Sequence, residues 1–147
     1  MRLLDAAGVS YRPHEYDPSV VDGKSVAAAL GEDPDAVFKT LVTTDGKNYY
    51  VFVVPVSATL ECRKAAKAVG AKSVAMIRQK ELLPLTGYVH GGCSPIGMKK
   101  KFPIVIDETA QLFDAICVSA GKVGFQIELS PFDLAAYTGA KFEDITA

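Results

Sequence analysis

Lys39 is the first residue of the sequence whose type and setting could do chemistry. It is the second residue of an apolar segment that begins Phe38-Lys39-Thr40-Leu41. A lysine partly buried in a cleft can hold an anionic or electron-rich group, because its mobile ammonium offers three hydrogen-bond donors. The same side chain could instead lie on an outer face and cover the sheet with its aliphatic stem. The residue type alone leaves both roles open.

Two turns could also offer polar groups to a ligand. Residues 91–97 contain three glycines and one proline, so the backbone of Gly91 and Gly92 could approach a ligand closely and direct N–H groups at an oxyanion. Ser119 ends an apolar segment before a glycine-containing turn, where its hydroxyl could face a ligand or cap the turn. Neither stretch matches a P-loop or a dinucleotide-binding fingerprint, so no nucleotide cofactor is expected.

The three cysteines offer a nucleophile only if a base activates one of them. Cys93 lies in the glycine-rich loop, but nothing in the sequence shows that His14 or His90, the only two histidines, is its base. Cys62 and Cys117 lie in predicted helix and strand segments and are expected to be small core residues. No cysteine and histidine spacing is typical of a metal site, so no metal is expected.

The charge of the chain limits its partners. Sixteen basic and seventeen acidic residues give a net charge of -1, which argues against a protein that grips a long duplex, such as DNA, by neutralising phosphates. The one dense basic stretch is Lys99-Lys100-Lys101, which could bind a phosphate locally or form a solvated turn. Any nucleic-acid contact is therefore expected to be local.

Length and composition predict one domain over residues 1–147. The chain is 49% hydrophobic and 22% charged, a balance that allows one domain to bury its own core. Its longest apolar runs, such as residues 51–56, are far shorter than the roughly 20 residues of a membrane-spanning helix. An odd number of widely spaced cysteines fits a reducing compartment. We therefore expect a cytoplasmic protein with no membrane partner.

The elements that must position these residues follow from caps, stops and β-branched runs. The strongest local signal is a hairpin of residues 38–44 and 48–54 around Asp45-Gly46. Helices are predicted over residues 2–7, 25–30, 60–69, 78–83 and 130–137. The other strands are predicted over residues 10–16, 73–76, 104–107, 116–119 and 125–129. Because helices and strands do not alternate regularly, the sequence predicts a mixed α/β domain with a curved, mixed sheet of six or more strands flanked by helices.

Four motifs recur in the order typical of one family. They are Phe38-Lys39-Thr40-Leu41, Lys64-Ala65-Ala66-Lys67 before Val69-Gly70, Thr86-Gly87-Tyr88 with residues 91–97, and Val118-Ser119-Ala120-Gly121-Lys122. Together they resemble the YbaK/EbsC family of Cys-tRNA(Pro) deacylases, which is related to the editing domain inserted in bacterial prolyl-tRNA synthetases. The resemblance covers nearly the whole chain.

The resemblance implies a trans-editing enzyme that cleaves the aminoacyl ester of mischarged Cys-tRNA(Pro) without a cofactor. Attack would come from the substrate's own thiol or from a positioned water. The alternatives are a deacylase of Ala-tRNA(Pro) or of many mischarged tRNAs, and a non-catalytic module that binds tRNA or a synthetase. The expected partners are the tRNA(Pro) acceptor end and, in a transient complex, prolyl-tRNA synthetase, which would supply the tRNA selectivity that a near-neutral protein lacks.

The family's site residues carry over to matching positions of this sequence. Its essential lysine corresponds to Lys39, its glycine-rich loop to Gly91 and its serine to Ser119, so these three residues are expected to act in catalysis and to converge on one cleft. Substrate contacts are expected from Phe38, Thr40, His14, Gly92, Ser94, Gly121 and Gln126. The acceptor end of the tRNA is expected to contact Lys99, Lys100 and Lys101.

The sequence departs from the family pattern at three positions. His14 stands where many members have a tyrosine, Ala120 replaces a frequent glycine, and Gln126 lies where some members carry an acid. One methyl or thiol group in a pocket changes binding by only about 1–3 kcal/mol. These departures therefore bear on the choice between cysteine and alanine more than on the fold.

Overall fold

Eight strands form two sheets in the computed structural model, which describes residues 1–147. The strands are β1 (Arg12–Glu15), β2 (Phe38–Thr44), β3 (Tyr49–Pro55), β4 (Ala75–Met76), β5 (Ile104–Asp107), β6 (Ile116–Ser119), β7 (Phe125–Leu129) and β8 (Lys141–Glu143). One sheet has the order β4-β2-β3-β5-β8 and the other has the order β1-β7-β6. The predicted mixed α/β class is confirmed, although the strands divide between two sheets.

Five short helices flank the sheets. They are α1 (Arg2–Ala7), α2 (Gly23–Leu30), α3 (Cys62–Val69), α4 (Gln79–Thr86) and α5 (Pro131–Thr138), and a 3-10 turn covers Glu108–Leu112. Side-chain oxygens of Asp22, Glu61 and Ser130 accept N–H hydrogen bonds at the starts of α2, α3 and α5. Such caps satisfy backbone donors that the first turn leaves free. None of the helices has the length and apolar character that a transmembrane helix requires.

The predicted hairpin forms the centre of the larger sheet. β2 and β3 are antiparallel, with Phe38 opposite Pro55 at one end and Thr44 opposite Tyr49 at the other. β3 then pairs with β5, and β5 with β8, in parallel. The apolar run from Val51 to Val54 is fully buried, as expected of a strand covered on both faces.

The main core lies between the two sheets. Phe38, Val53 and Ile106 of the larger sheet belong to the same buried cluster as Val118 and Ile127 of the smaller one. A second cluster packs the other face of the larger sheet against α3. A parallel bridge between Val37 and Cys117 joins the sheets directly, so the start of β2 lies beside β6.

The last strand and the tail were not predicted from the sequence. β8 is three residues long and joins the sheet edge by parallel pairing with β5, so it has too few residues to show a strand periodicity. Fully buried Asp107 anchors the chain after it, because its carboxylate accepts hydrogen bonds from the backbone N–H groups of Thr109 and Ile145 at 3.3 and 3.2 Å. These contacts hold the tail against the end of β5.

Two local predictions were wrong. Helix α4 does not end at residue 83 but continues through Pro84 to Thr86, whose hydroxyl donates to the Leu82 carbonyl at 2.7 Å. Cys62 is exposed rather than part of the core. It is the first residue of α3, whereas the buried residues of that helix, Ala65 and Ala66, begin one turn later.

Candidate functional site

A cavity of about 410 Å³ lies where the two sheets meet. Its wall is formed by the start of α2, most of β2, the loop at residues 90–93, and the ends of β6 and β7. The volume falls within the range of about 300–1,000 Å³ that is usual for small-molecule sites. Twelve of the 21 lining residues are hydrophobic, so a charge or dipole inside the cavity interacts more strongly than it would in water.

The cavity brings together six of the predicted site residues. They are Lys39, Gly91, Ser119, Phe38, Thr40 and Gln126. Three of these residues come from β2, one from the glycine-rich loop and two from the paired ends of β6 and β7, where Ser119 lies opposite Gln126. The convergence of Lys39, Gly91 and Ser119 is therefore present, while the catalytic roles of these residues stay predictions.

Lys39 is partly buried on β2, in the part of the strand that pairs with β3 alone. It lies opposite Val54 of β3, and β4 pairs with the far end of the same strand. No carboxylate lies within 4.0 Å of its ammonium. Burial, and to a smaller extent the charge of Lys24, lowers the pKa of Lys39 below its usual value. The cavity thus has a positive charge that forms no ion pair within the protein, although Asp22 lines the same wall.

Two buried polar atoms in the cavity wall have no partner in the protein. They are the hydroxyl oxygen of Thr40 and the side-chain oxygen of Gln126. Buried polar groups are nearly always hydrogen-bonded to protein, water or ligand. Both atoms are shielded from solvent, so a ligand in the cavity would reach them only after a side-chain rotation.

Gly91 and Gly92 differ in what their backbones can offer. Gly91 has a φ of 87°, a conformation that other residues rarely adopt, and its N–H donates to no backbone acceptor. The N–H of Gly92 donates to the Val89 carbonyl at 3.0 Å. Gly91 can therefore supply a backbone donor to a ligand, whereas the N–H of Gly92 is used to close the turn. A substrate contact by Gly92 stays a prediction.

Two predicted substrate contacts, His14 and Gly92, lie outside the cavity wall. The imidazole nitrogen Nε2 of His14 is 2.8 Å from a carboxylate oxygen of Glu128, so the His14 side chain contacts Glu128. Gly92 lies against the backbone of Lys122 and Val123, where an added Cβ would come within 3.0 Å of a nitrogen. These contacts show that both positions shape the cavity's surroundings rather than its surface.

Ser94 and Gly121 also lie behind the wall. Ser94 is fully buried and its hydroxyl oxygen accepts a hydrogen bond from the N–H of Ile96 at 3.2 Å. Gly121 has a φ of 101° and lies against the ring of Tyr88, and its N–H donates to the Ser119 hydroxyl oxygen at 3.2 Å. Both residues therefore fold the loops that carry Gly91 and Ser119.

The three consecutive lysines are exposed outside the cavity wall. They follow Met98, which packs against the buried cluster of Val42, Val51 and Cys93. Cys93 and Val42 also line the cavity. The basic cluster Lys99–Lys101 is thus attached to the outer side of a segment that supports the cavity.

Sequence reasoning missed four polar residues of the wall, namely Tyr16, Asp22, Gln79 and His90. Asp22 was not recognised as a wall residue. Its carboxylate also has a structural role, because it caps α2 by accepting a hydrogen bond from the N–H of Ser25 at 3.2 Å. Of the four residues, only His90 had a sequence position that indicated a place in the cavity wall, because it directly precedes the glycine-rich loop. Tyr16 and Gln79 lie next to a turn and at the start of α4, where a polar residue is ordinary.

Cys93 lines the cavity but is not an activated nucleophile. Its side chain is buried, and burial raises the pKa of its thiol to about 12. Nucleophilic cysteines react as thiolates and usually have lowered pKa values near a cation or a histidine. The arrangement of Cys93 is therefore typical of a packing residue.

Comparison with known proteins points to one family. The family model described as an aminoacyl-tRNA editing domain matches residues 17–137. EbsC of Enterococcus faecalis, whose provisional name is Cys-tRNA(Pro)/Cys-tRNA(Cys) deacylase, is 45% identical over an alignment of 149 residues that covers 99% of this chain and 91% of EbsC. A proline–tRNA ligase of Shouchella clausii is 29% identical over 115 residues, which cover 76% of this chain and 20% of the ligase.

A solved structure extends the similarity to the fold. A crystal structure provisionally described as a trans-editing enzyme for prolyl tRNA synthetase is 26% identical and superimposes with a TM-score of 0.90. The match covers 99% of this chain and 93% of the other. The two-sheet arrangement is therefore shared with that protein over almost its whole length.

We expect only one of the three cysteines to react rapidly with iodoacetamide. Cys62 is exposed, whereas Cys93 and Cys117 are buried, and burial is the main cause that raises the pKa of both buried thiols to about 12. Because the thiolate is the reactive form, the buried thiols should be alkylated at least about 100-fold more slowly at neutral pH. Mass spectrometry of the peptides over a time course measures each rate. Cys62→Ser should abolish the fast reaction, and rapid labelling of Cys93 in the folded protein would contradict the packing role.

Proposed function

The chain belongs to the aminoacyl-tRNA editing domain family, and on that premise we propose that it deacylates mischarged Cys-tRNA(Pro) in trans. The observation that carries the proposal is the convergence of Lys39, Gly91 and Ser119 on one cavity. The choice of cysteine is supported by the 45% identity to EbsC, whose provisional name assigns it Cys-tRNA(Pro) and Cys-tRNA(Cys). Such an enzyme would work in the cytoplasm, where tRNA is charged and used.

The proposed reaction is cleavage of the ester that joins the amino acid to the 3′-terminal ribose. Attack on the ester carbonyl places negative charge on its oxygen, and positioned donors lower the barrier by stabilising that charge. The Lys39 ammonium and the Gly91 N–H, which has no backbone acceptor, are suited to this role. The lack of a carboxylate beside Lys39 supports it, because an internal ion pair would weaken the field at the substrate.

The cysteine in the cavity wall is not suited to attack the ester, so the attacking group is another one. Cys93 is buried and its pKa is raised to about 12, so it is protonated at neutral pH. The cysteine of the substrate carries its own thiol, and the cavity could also position a water. Either nucleophile would be held near the carbonyl by the same wall, which supplies orientation rather than a covalent intermediate.

Polar groups of the wall are suited to hold the aminoacyl end. The hydroxyl oxygen of Ser119 already accepts the N–H of Gly121, so its own hydrogen remains available to donate to the substrate. The buried side-chain oxygen of Gln126 has no partner in the protein, and after a side-chain rotation toward the cavity it would accept a hydrogen bond from the α-ammonium group of the amino acid. We also assign Thr40 to this end of the substrate, because the residue lines the cavity and its hydroxyl, which has no partner in the protein, would turn toward a bound ligand.

The tRNA would be selected by a partner as well as by this chain. A net charge of -1 gives little general attraction for RNA. A transient complex with prolyl-tRNA synthetase would supply the missing selectivity for tRNA(Pro). The exposed cluster Lys99–Lys101 would then contact only the acceptor end.

Side-by-side hydrolysis of Cys-tRNA(Pro), Ala-tRNA(Pro) and Cys-tRNA(Cys) tests the function. We expect Cys-tRNA(Pro) to be deacylated at least about 10-fold faster than Ala-tRNA(Pro), because even pocket fit alone discriminates such side chains by about 1–3 kcal/mol. The two cysteinyl tRNAs measure how much the tRNA body contributes when no synthetase is present. Faster loss of alanine would favour the Ala-tRNA(Pro) alternative, and binding without hydrolysis of any substrate would make the protein a non-catalytic module.

Replacing Lys39 by alanine should impair chemistry more than folding. The variant Lys39→Ala should deacylate Cys-tRNA(Pro) about 10²-fold or more slowly in single-turnover assays, the scale expected when a preorganised electrostatic group is removed. Its melting temperature should change little, because removing a partly buried, unpaired ammonium also removes a desolvation penalty.

Cys93→Ala is the matched control for Lys39→Ala, since both residues line the cavity. It should retain most of the activity if the protein supplies no thiol nucleophile. An active Lys39→Ala variant beside an inactive but folded Cys93→Ala variant would replace the proposed mechanism with cysteine catalysis.

The basic cluster Lys99–Lys101 should contribute a salt-dependent part of tRNA binding. Replacing its three exposed lysines by alanine should weaken binding and flatten the dependence of log K on log salt by about one unit for each phosphate that the protein no longer binds. The triple variant of exposed Lys47, Lys67 and Lys72 removes the same charge elsewhere and should leave the slope nearly unchanged. Equal slopes for both triple variants would mean that the cluster is only a solvated turn.

A further inference from the structure

Four side chains that bind metals well in other proteins meet beside the cavity. They are His14 of β1, Glu32 after α2, Cys117 of β6 and Glu128 of β7. One ligand atom of each lies within 4.8 Å of all the others. These atoms are an imidazole nitrogen, a thiol sulfur and two carboxylate oxygens. None of the four residues belongs to the cavity wall.

The smaller sheet explains three members of the cluster. β7 lies between β1 and β6, and Cys117 is directly opposite Glu128. His14 lies opposite Gln126, which is two residues from Glu128 on the same face, so the imidazole reaches Glu128 diagonally. Pairing across adjacent strands therefore fixes the backbone positions of all three ligands.

Glu32 reaches the cluster from the end of α2. Gly31 ends the helix, and the N–H of Glu32 donates to the Ala27 carbonyl at 3.0 Å. This backbone contact directs the partly buried side chain of Glu32 back toward Cys117 and Glu128. The residue thus arrives from a helix that also contributes to the cavity wall.

The charges of the cluster are poorly balanced without a cation. Two carboxylates and a thiol share one basic group, His14, which is 2.8 Å from Glu128. Glu32 has no basic group within 4.0 Å. Cys117 is only 1% exposed and forms no disulfide, so a buried sulfur lies beside the other three ligand atoms. One unpaired carboxylate, and a second that shares the only histidine of the cluster, thus lie at a buried sulfur, a setting in which a divalent cation binds favourably.

We propose that His14, Glu32, Cys117 and Glu128 bind one zinc ion. A thiolate and an imidazole favour zinc over magnesium or calcium, which prefer oxygen ligands alone. Ligand distances of about 2.0–2.3 Å give a tetrahedron whose edges are about 3.3–3.8 Å, so side-chain shifts of about an ångström complete the site. On binding, Cys117 releases its proton to the solvent and the sulfur coordinates as a thiolate.

The zinc ion would have a structural role. Four protein ligands fill a tetrahedral site and leave no open position for a water or a substrate. The ion would tie β1 and the segment after α2 to β6 and β7. Ser119 and Gln126 of the cavity wall lie two residues from Cys117 and Glu128, roughly 7 Å along the strands. This inference does not depend on the proposed deacylation, since zinc binding is measured directly.

Zinc titration of the full chain, free of any polyhistidine tag and first treated with a chelator, tests the proposal. Calorimetry and native mass spectrometry should show one zinc ion per chain, and the melting temperature should rise as zinc is added. Cobalt(II) in place of zinc should give the intense near-ultraviolet absorption of a thiolate-to-cobalt transition. The absence of stoichiometric binding, or of that absorption, would overturn the proposal.

Substitutions identify the ligands. Cys117→Ser should abolish the cobalt absorption, and Glu32→Gln should weaken zinc binding at least about 10-fold. Cys117 is fully buried, so Cys117→Ser is the variant at greater risk of misfolding. If it does not fold, Glu32→Gln tests the zinc site, because Glu32 is partly exposed. Cys62→Ser and Glu15→Gln are the matched controls and should bind zinc like the parent. Unchanged affinity in Glu32→Gln, or binding that disappears in Cys62→Ser instead, would show that zinc binds elsewhere.

Discussion

An unpaired, partly buried ammonium is the constraint around which the cavity is built. Burial lowers the pKa of Lys39, and no carboxylate lies within 4.0 Å of its charge. Removing a charge from water without a partner is unfavourable, so the rest of the fold must hold the side chain in place. β2 does this because β3 pairs with its whole length and buried clusters cover both faces of the sheet. A ligand that brings negative charge would offset this unfavourable position.

The junction of the two sheets determines which groups meet that ammonium. The bridge between Val37 and Cys117 places β6 beside the start of β2, so Ser119 and Lys39 come to line the same cavity although 80 residues of sequence separate them. Gly121 then supports Ser119 by donating to its hydroxyl oxygen. The glycine-rich loop contributes Gly91 to the same cavity, where it lies against Val21 and Val123. Each element contributes few polar groups, and the shared apolar wall strengthens their interaction with a ligand.

Local signals predicted the elements well, and long-range packing decided the rest. The hairpin followed from Asp45-Gly46 between two β-branched runs, and Ser130 marked the start of α5. Gly31 marked the end of α2, but its cap Asp22 was not recognised and the helix begins two residues earlier than predicted. The division into two sheets could not be predicted, because it depends on which strands pair across long stretches of sequence, such as β1 with β7. The motifs predicted Lys39, Gly91 and Ser119 together. They could not show that the N–H of Gly92 is used within its turn, nor that His14 lies against Glu128, 114 residues away.

If the protein supplies charge and orientation but no thiol nucleophile, the preference for cysteinyl over alanyl esters depends on which molecule attacks the ester. If the substrate's own thiol attacks, an alanyl ester lacks the attacking group itself and not merely one interaction with the wall. Discrimination would then exceed the about 10–200-fold that the fit of one small group in a pocket provides. If the cavity instead positions a water, the same wall serves both esters and only fit distinguishes them. The buried, protonated state of Cys93 favours a nucleophile from outside the protein in either case. The ratio of the two rates therefore reports which molecule attacks, because the protein's own contribution is common to both.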